Sequence, residues 1–277
     1  MLFILLGLGY TQYNQLYKKY HKLSLSILKE FGFGVQRVSE TRILQEVESM
    51  NEEILKQNGR SFDPKWLLVF SSANFILSIL FGKNFFQSSP KDLTTIVENS
   101  AECGANFDMT LNLAPVARFL PMFWKTISRL RSSSERLLNG IEAGIKFNKS
   151  ESSEVTFAGR FMEIEGPGYN RQDLLYILRD LCFASTDTVP TTLQWALVEL
   201  ANHPESQNCF RREINEMVPG DRLPSLDDKP HMPYTEAVIL EIMRQHTVVP
   251  FFVPHATLKD TKVLEYDVPN GCMVSIR

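Results

Sequence analysis

The chain has 277 residues, 44% hydrophobic and 22% charged, with a net charge of -3. That is enough apolar material for a large core, and the charge balance argues against a basic face for nucleic acid. Cys103, Cys182, Cys209 and Cys272 are scattered, with no CxxC pair and no zinc-type Cys/His spacing, so they read as buried thiols rather than metal ligands.

Met1 to Leu8 is apolar, but the pattern stops at Tyr10. A spanning helix needs about 20 apolar residues, and a signal peptide needs a basic start and a small-residue cleavage site. The chain therefore reads as lacking an anchor, and its abrupt start suggests a fragment. Tyr17-Lys18-Lys19-Tyr20-His21-Lys22 opens a helical pattern that runs through Leu23, Leu25, Ile27 and Leu28 and ends at Gly32 and Gly34. Taken alone, that basic run is a solvated helix face.

Val38 to Asn58 has amphipathic helical spacing and ends at Gly59. Asp63 and Pro64 start a second helix, apolar nearly all round from Trp66 to Phe81 and stopped by Gly82, hence internal. Leu93 to Cys103 reads as a further helix, and Asn112 to Pro121 as a loop bracketed by Pro115 and Pro121. Phe123 to Asn148 is a long polar helix, followed by a polar linker from Lys149 to Glu154 and a break at Gly166-Pro167-Gly168.

Asn170 to His203 is the central element. Apolar residues recur at helical spacing and cover most of the circumference, which predicts a buried helix. Asn170 and Asp173 resemble a capping box, and His203-Pro204 closes the pattern. Its middle, Ser185-Thr186-Asp187-Thr188-Val189-Pro190, breaks the rule. Serine, threonine and aspartate compete for backbone hydrogen bonds, and proline leaves the carbonyl four residues earlier without a donor. Such a polar defect is either a solvated proline kink or a functional site.

Pro204 to Val218 is helical with proline in its first turn, residues 219–233 form a proline-rich loop, and Pro233 to Arg244 is a short helix. Glu241 and Arg244 share one face of it. Val248 to Pro254 is extended, and strand-like pieces follow at Lys262–Tyr266 and Met273–Ile276, with turn chemistry at Val268-Pro269-Asn270-Gly271. The fold class is mainly α, a helical core with a small C-terminal β region.

The order of Leu23 to Gly32, Ser78-Ile79-Leu80-Phe81-Gly82, Ala184-Ser185-Thr186-Asp187-Thr188, Trp195-Ala196-Leu197, His203-Pro204-Glu205, Pro233-Tyr234-Thr235, Glu241-x-x-Arg244 and Pro254-His255-Ala256-Thr257 resembles the cytochrome P450 superfamily, of the microsomal animal family 2 type. The resemblance runs from about Tyr17 to Arg277 and implies a partial cytochrome P450 fold, with residues 1–277 forming one incomplete domain. It implies a haem-thiolate monooxygenase that inserts one oxygen atom of O2 into a small apolar organic substrate. The electrons come from NADPH-cytochrome P450 reductase at the endoplasmic reticulum membrane.

By the same resemblance, Thr188 and Asp187 are catalytic, managing hydrogen bonding and proton delivery during oxygen activation. Tyr17, His21, Ala184, Thr188 and His255 contact the haem. Ala184, Val249 and Val253 face substrate, and Glu241 with Arg244 forms a buried structural ion pair. The sequence departs from the family pattern at Ser185, where glycine is usual, at Val189, where a hydroxyl is usual, and at Tyr17 and His21, where tryptophan and arginine are usual. The family's cysteine-ligand loop is absent, so no residue here is expected to bind the iron. The alternative is a truncated, non-catalytic helical protein unable to hold haem.

Overall fold

A computed structural model describes residues 7–9, 13–33, 36–82, 90–105, 116, 119–150, 154–218, 220, 222–250 and 255–274. Among them lie nine α-helices: α1 (Gln15–Glu30), α2 (Gln36–Leu55), α3 (Lys65–Phe81), α4 (Pro90–Ala105), α5 (Pro121–Ser150), α6 (Phe157–Glu165), α7 (Arg171–Asn202), α8 (Pro204–Met217) and α9 (Pro233–Gln245). Four short strands follow: β1 (His255–Ala256), β2 (Thr261–Val263), β3 (Tyr266–Val268) and β4 (Met273–Val274). No described helix is long and apolar enough to cross a membrane.

Local chemistry explains several helix ends. Asn14 accepts from the Tyr17 N–H at 2.8 Å and opens α1. Thr156 does the same for α6 through the Gly159 N–H at 3.0 Å. Gly166, at φ +71°, closes α6 in a conformation that a side chain would strain. Asn170 caps α7 by accepting from Gln172 N at 3.0 Å. Asp173 does not complete the expected reciprocal box: its carboxylate accepts from the Tyr20 hydroxyl of α1.

The core forms where α3, α4, α5 and α6 meet the first half of α7. Leu77, Leu80, Phe81, Ile96, Leu137 and Phe161 are among its fully buried side chains. Each such burial is worth ~1.5–3 kcal/mol, so this lobe holds most of the apolar driving force. Tyr20 of α1 meets Phe161 of α6 with ring centroids 5.7 Å apart. Close approach of α5 to α3 uses Gly144, where an added Cβ would lie 2.6 Å from Phe81 Cδ1.

α7 is about 48 Å long at ~1.5 Å per residue and runs unbroken through Pro190. The expected all-round burial does not hold along its length. Leu174, Ile177, Leu178 and Cys182 are buried, whereas Leu193, Trp195, Leu197 and Val198 are exposed. The first half is enclosed by the core helices, while α8 and α9 cover only part of the second.

The β region is also rearranged relative to expectation. β2 and β3 pair antiparallel, Val263 opposite Tyr266, so the predicted strand Lys262–Tyr266 is a hairpin turning at Leu264-Glu265. Leu264 adopts φ +54° there. β1 pairs with β4 antiparallel, His255 opposite Val274. The cysteines differ as well: Cys182 is buried, Cys103 and Cys209 are partly buried, and Cys272 is exposed.

Candidate functional site

The polar interruption divides α7 into two faces. Cys182, Thr186 and Pro190, spaced by four, form the buried one. Ala184, Asp187 and Thr188 share the other, on which Ala184 and Asp187 are exposed and Thr188 is half-buried. Val189 beside them is 52% exposed.

Four hydroxyls bend back onto the helix. Thr188 Oγ1 donates to the Ala184 carbonyl at 2.8 Å, and Thr192 Oγ1 donates to the Thr188 carbonyl at 3.0 Å. Ser185 Oγ donates to the Cys182 carbonyl at 2.9 Å. Thr186 Oγ1 lies 3.2 Å from both the Cys182 and Phe183 carbonyls. Back-bonding of this kind lets the helix absorb hydroxyls and a proline without ending. Thr188, its single proton committed to Ala184, presents only acceptor lone pairs outward. It donates to a ligand only after its hydroxyl rotates.

Tyr17 and His21 lie one turn apart on α1 and stack, with ring centroids 5.5 Å apart and planes 19° from parallel. Tyr17 borders a cavity of about 170 Å³ beside Tyr176 and Ile177 of α7. Ile177 precedes Ala184 by seven residues, or ~10 Å along the helix axis. His255 is exposed in β1 and Val249 is exposed beyond α9. Val253 lies outside the described residues.

Glu241 and Arg244 form a two-pronged pair, Nε to Oε2 at 2.7 Å and Nη2 to Oε1 at 2.6 Å. Gln245 donates to the same carboxylate at 2.8 Å. The Arg244 guanidinium holds the Glu241 carboxyl down at about 2. Burial of the pair does not match expectation: its side chains are 50% and 70% exposed, because the packed side of α9 carries Ile242 instead.

One cluster was not anticipated. His246, which caps α9, stacks on Trp195 of α7, and its Nε2 lies 2.7 Å from Glu199 Oε1. The spacing of Trp195 and Glu199 puts both on one helix face, but nothing local to His246 links it to them.

The chemistry of these residues can be set against a haem. An exposed, small-residue patch bearing an acceptor hydroxyl and a carboxylate suits the oxygen side of a flat apolar macrocycle. Among the sulfur donors, Cys182 is unsuited to binding iron. Cys182 is enclosed, and burial together with the nearby Asp180 charge pushes its thiol well above the ordinary range. Cys209 lies 3.8 Å from Arg212 Nη2, and Cys272 lies 3.8 Å from the Met273 carbonyl. No group of three or more His, Cys, Asp or Glu among the described residues is arranged to hold a metal ion. The Ala184–Asp187–Thr188 patch is chemically compatible with one face of such a cofactor.

The sequence model described as Cytochrome P450 matches residues 7–277. The chain belongs to the cytochrome P450 family. Cytochrome P450 2U1 of Bos taurus is 30% identical over 283 residues, covering 97% of this chain and 51% of that protein. Cytochrome P450 2F3 of Capra hircus is 31% identical over 266 residues, covering 92% of this chain and 54% of that protein. The chain thus spans about half the length of the curated relatives it matches. A zebrafish cytochrome P450 structure with progesterone superposes with a TM-score of 0.82 at 24% identity, covering 99% of this chain and 66% of that one. The fold is therefore a partial cytochrome P450 fold, helical with small antiparallel strands.

Proposed function

We propose that residues 1–277 are one incomplete cytochrome P450 domain, carrying the oxygen-side face of a haem monooxygenase that acts on an apolar organic molecule. The observation that carries this reading is the exposed Ala184–Asp187–Thr188 patch inside a continuous helix of a cytochrome P450 chain. Haem, when bound, supplies the oxygen chemistry, with a thiolate from outside these residues.

The chain's own residues do the rest. Ala184 leaves room for a flat ring and a substrate carbon above it. Thr188 Oγ accepts a hydrogen bond, or donates one after rotating off the Ala184 carbonyl. Asp187, at the exposed edge, exchanges protons with solvent and passes them toward Thr188. Tyr17, His21 and His255 are proposed cofactor contacts, Val249 and Val253 proposed substrate contacts, and Glu241 with Arg244 a scaffold pair. A redox partner, NADPH-cytochrome P450 reductase, and the endoplasmic reticulum membrane follow the same reading. The apolar substrate class is supported by the zebrafish relative, whose structure holds progesterone.

The test is Thr188→Ala in the complete protein with its reductase. Product per NADPH consumed falls by ~100-fold, the scale of a lost positioned proton donor, while peroxide release rises. Unchanged coupling of NADPH to product overturns the assignment.

A second reading is a non-catalytic helical protein. The departures from the family pattern at Tyr17, Ser185 and Val189 favour it for this chain alone. Haem titrated into the 277-residue chain distinguishes the two, because saturable binding that Ala184→Trp abolishes excludes this second reading, whereas no saturable binding supports it.

A further inference from the structure

A cavity lies away from the oxygen-side patch, between α1, the first turns of α7 and the segment at residues 7–8. Its walls include Leu8, Tyr17, Tyr20, Asp173, Tyr176 and Ile177, and its volume is about 170 Å³. That is the scale of an apolar cavity that admits a single benzene ring, and far below that of a drug-sized ligand.

The walls are held firmly. Tyr20 and Tyr176 are 7% and 5% exposed. The Tyr20 hydroxyl donates to Asp173, and Gln172 Nε2 donates to the Tyr176 hydroxyl at 2.9 Å. Leu8 and its neighbours are tied down by Asp180, whose carboxylate accepts from Gly9 N at 3.0 Å. The cavity therefore has a fixed aromatic floor and a pinned roof.

The charge pattern is one-sided. Lys19 pairs with Glu165, Arg171 with Glu142, and Arg179 with Asp180. Asp173, by contrast, accepts from the neutral Tyr20 hydroxyl, and no cationic side chain among the described residues pairs with it. Protein cations already gather over the local rings: Lys19 Nζ lies 5.4 Å from the Tyr20 centroid and Arg179 Cζ lies 5.1 Å from that of Tyr176. A ring-sized apolar space with one carboxylate and electron-rich walls selects an organic ammonium over a neutral or anionic molecule.

We propose that this cavity is a binding site for a small aromatic or alkyl amine, its ring or chain among Leu8, Tyr17 and Ile177 and its ammonium on Asp173. The site is distinct from the Ala184–Thr188 patch but shares Tyr17 with the proposed cofactor contacts. Its test is made on the haem-free chain, so its failure leaves the Thr188→Ala test of the monooxygenase reading untouched.

The probes are benzylamine and its neutral isostere benzyl alcohol, added to the 277-residue chain. Methyl NMR signals of Leu8 and Ile177 are followed. Benzylamine gives saturable shifts at these methyls, and benzyl alcohol binds at least tenfold more weakly. Asp173→Asn erases that preference, and Ile177→Trp, which fills the space, abolishes binding of both. Should Ile177→Trp unfold the chain, Leu8→Trp fills the roof from outside α7 and has the same effect. Equal affinity for amine and alcohol, unchanged affinity in Asp173→Asn, or no saturable shift overturns the proposal.

Discussion

The His246 imidazole lies flat on the Trp195 indole, with centroids 4.0 Å apart and planes 8° from parallel. This contact joins the end of α9 to the second half of α7, where little else is buried. Trp195→Ala should remove ~0.5–1.5 kcal/mol of packing beyond simple area loss. Amide hydrogen exchange along α9 is the measurement. Faster exchange near Gln245 is expected, with the core helices unchanged, whereas an unaffected α9 would show that the stack does not hold it.

Glu213 of α8 caps α9 from the side. Its carboxylate accepts from Tyr234 N at 2.9 Å, Thr235 N at 2.6 Å and the Thr235 hydroxyl at 2.7 Å. Desolvation opposes its ionisation, but the Thr235 hydroxyl and the two backbone N–H groups outweigh it and hold the carboxyl below its ordinary 4.5. A group with a depressed folded-state pKa stabilises fully above its unfolded value and loses that contribution as pH falls through the folded one. Melting temperature should drop as pH falls below about 4.5. Glu213→Gln should be less stable at neutral pH and show a shallower acid slope. Parallel melting curves would refute the cap.

Thiol reactivity should rank by burial. Cys272 is exposed and should be alkylated first, whereas Cys182 is enclosed with its thiol pushed up. The thiolate is the nucleophile, so both effects suppress Cys182. Mass spectrometry after timed iodoacetamide treatment at pH 8 should show Cys182 modified only under denaturant. Early labelling there would contradict the buried face of α7.

Gly144 sets two effects against each other. Alanine gains ~1 kcal/mol of helix propensity. It also places a methyl 2.6 Å from Phe81 Cδ1, which is fully buried and has little room to move. Overpacking of this kind costs ~1–3 kcal/mol, so Gly144→Ala should be destabilised by ~0–2 kcal/mol in urea unfolding. A gain near the full propensity value would mean α5 and α3 are less closely packed.

Several features were legible in the chain because their causes are local. Eight of the nine described helices follow from apolar spacing, with Asn170 at the start of α7 and Gly82 at the end of α3; α6, opened by Thr156, was not read as a helix. The interruption at Ser185 to Pro190 was visible because it violates helix composition. The ordered motif string carried the family. Asp173 looked like half of a capping box, but a partner 153 positions earlier, Tyr20, claimed its carboxylate.

The tertiary structure alone decided which helix faces meet solvent. Periodicity marks apolar positions but does not say whether a neighbour arrives to cover them, so Leu193 and Leu197 read as buried and are exposed. The meeting of Trp195 with His246 and the cap from Glu213 arise between segments that carry no mutual signal in the chain. Propensity and capping act within about one helical turn, whereas burial depends on where distant helices pack.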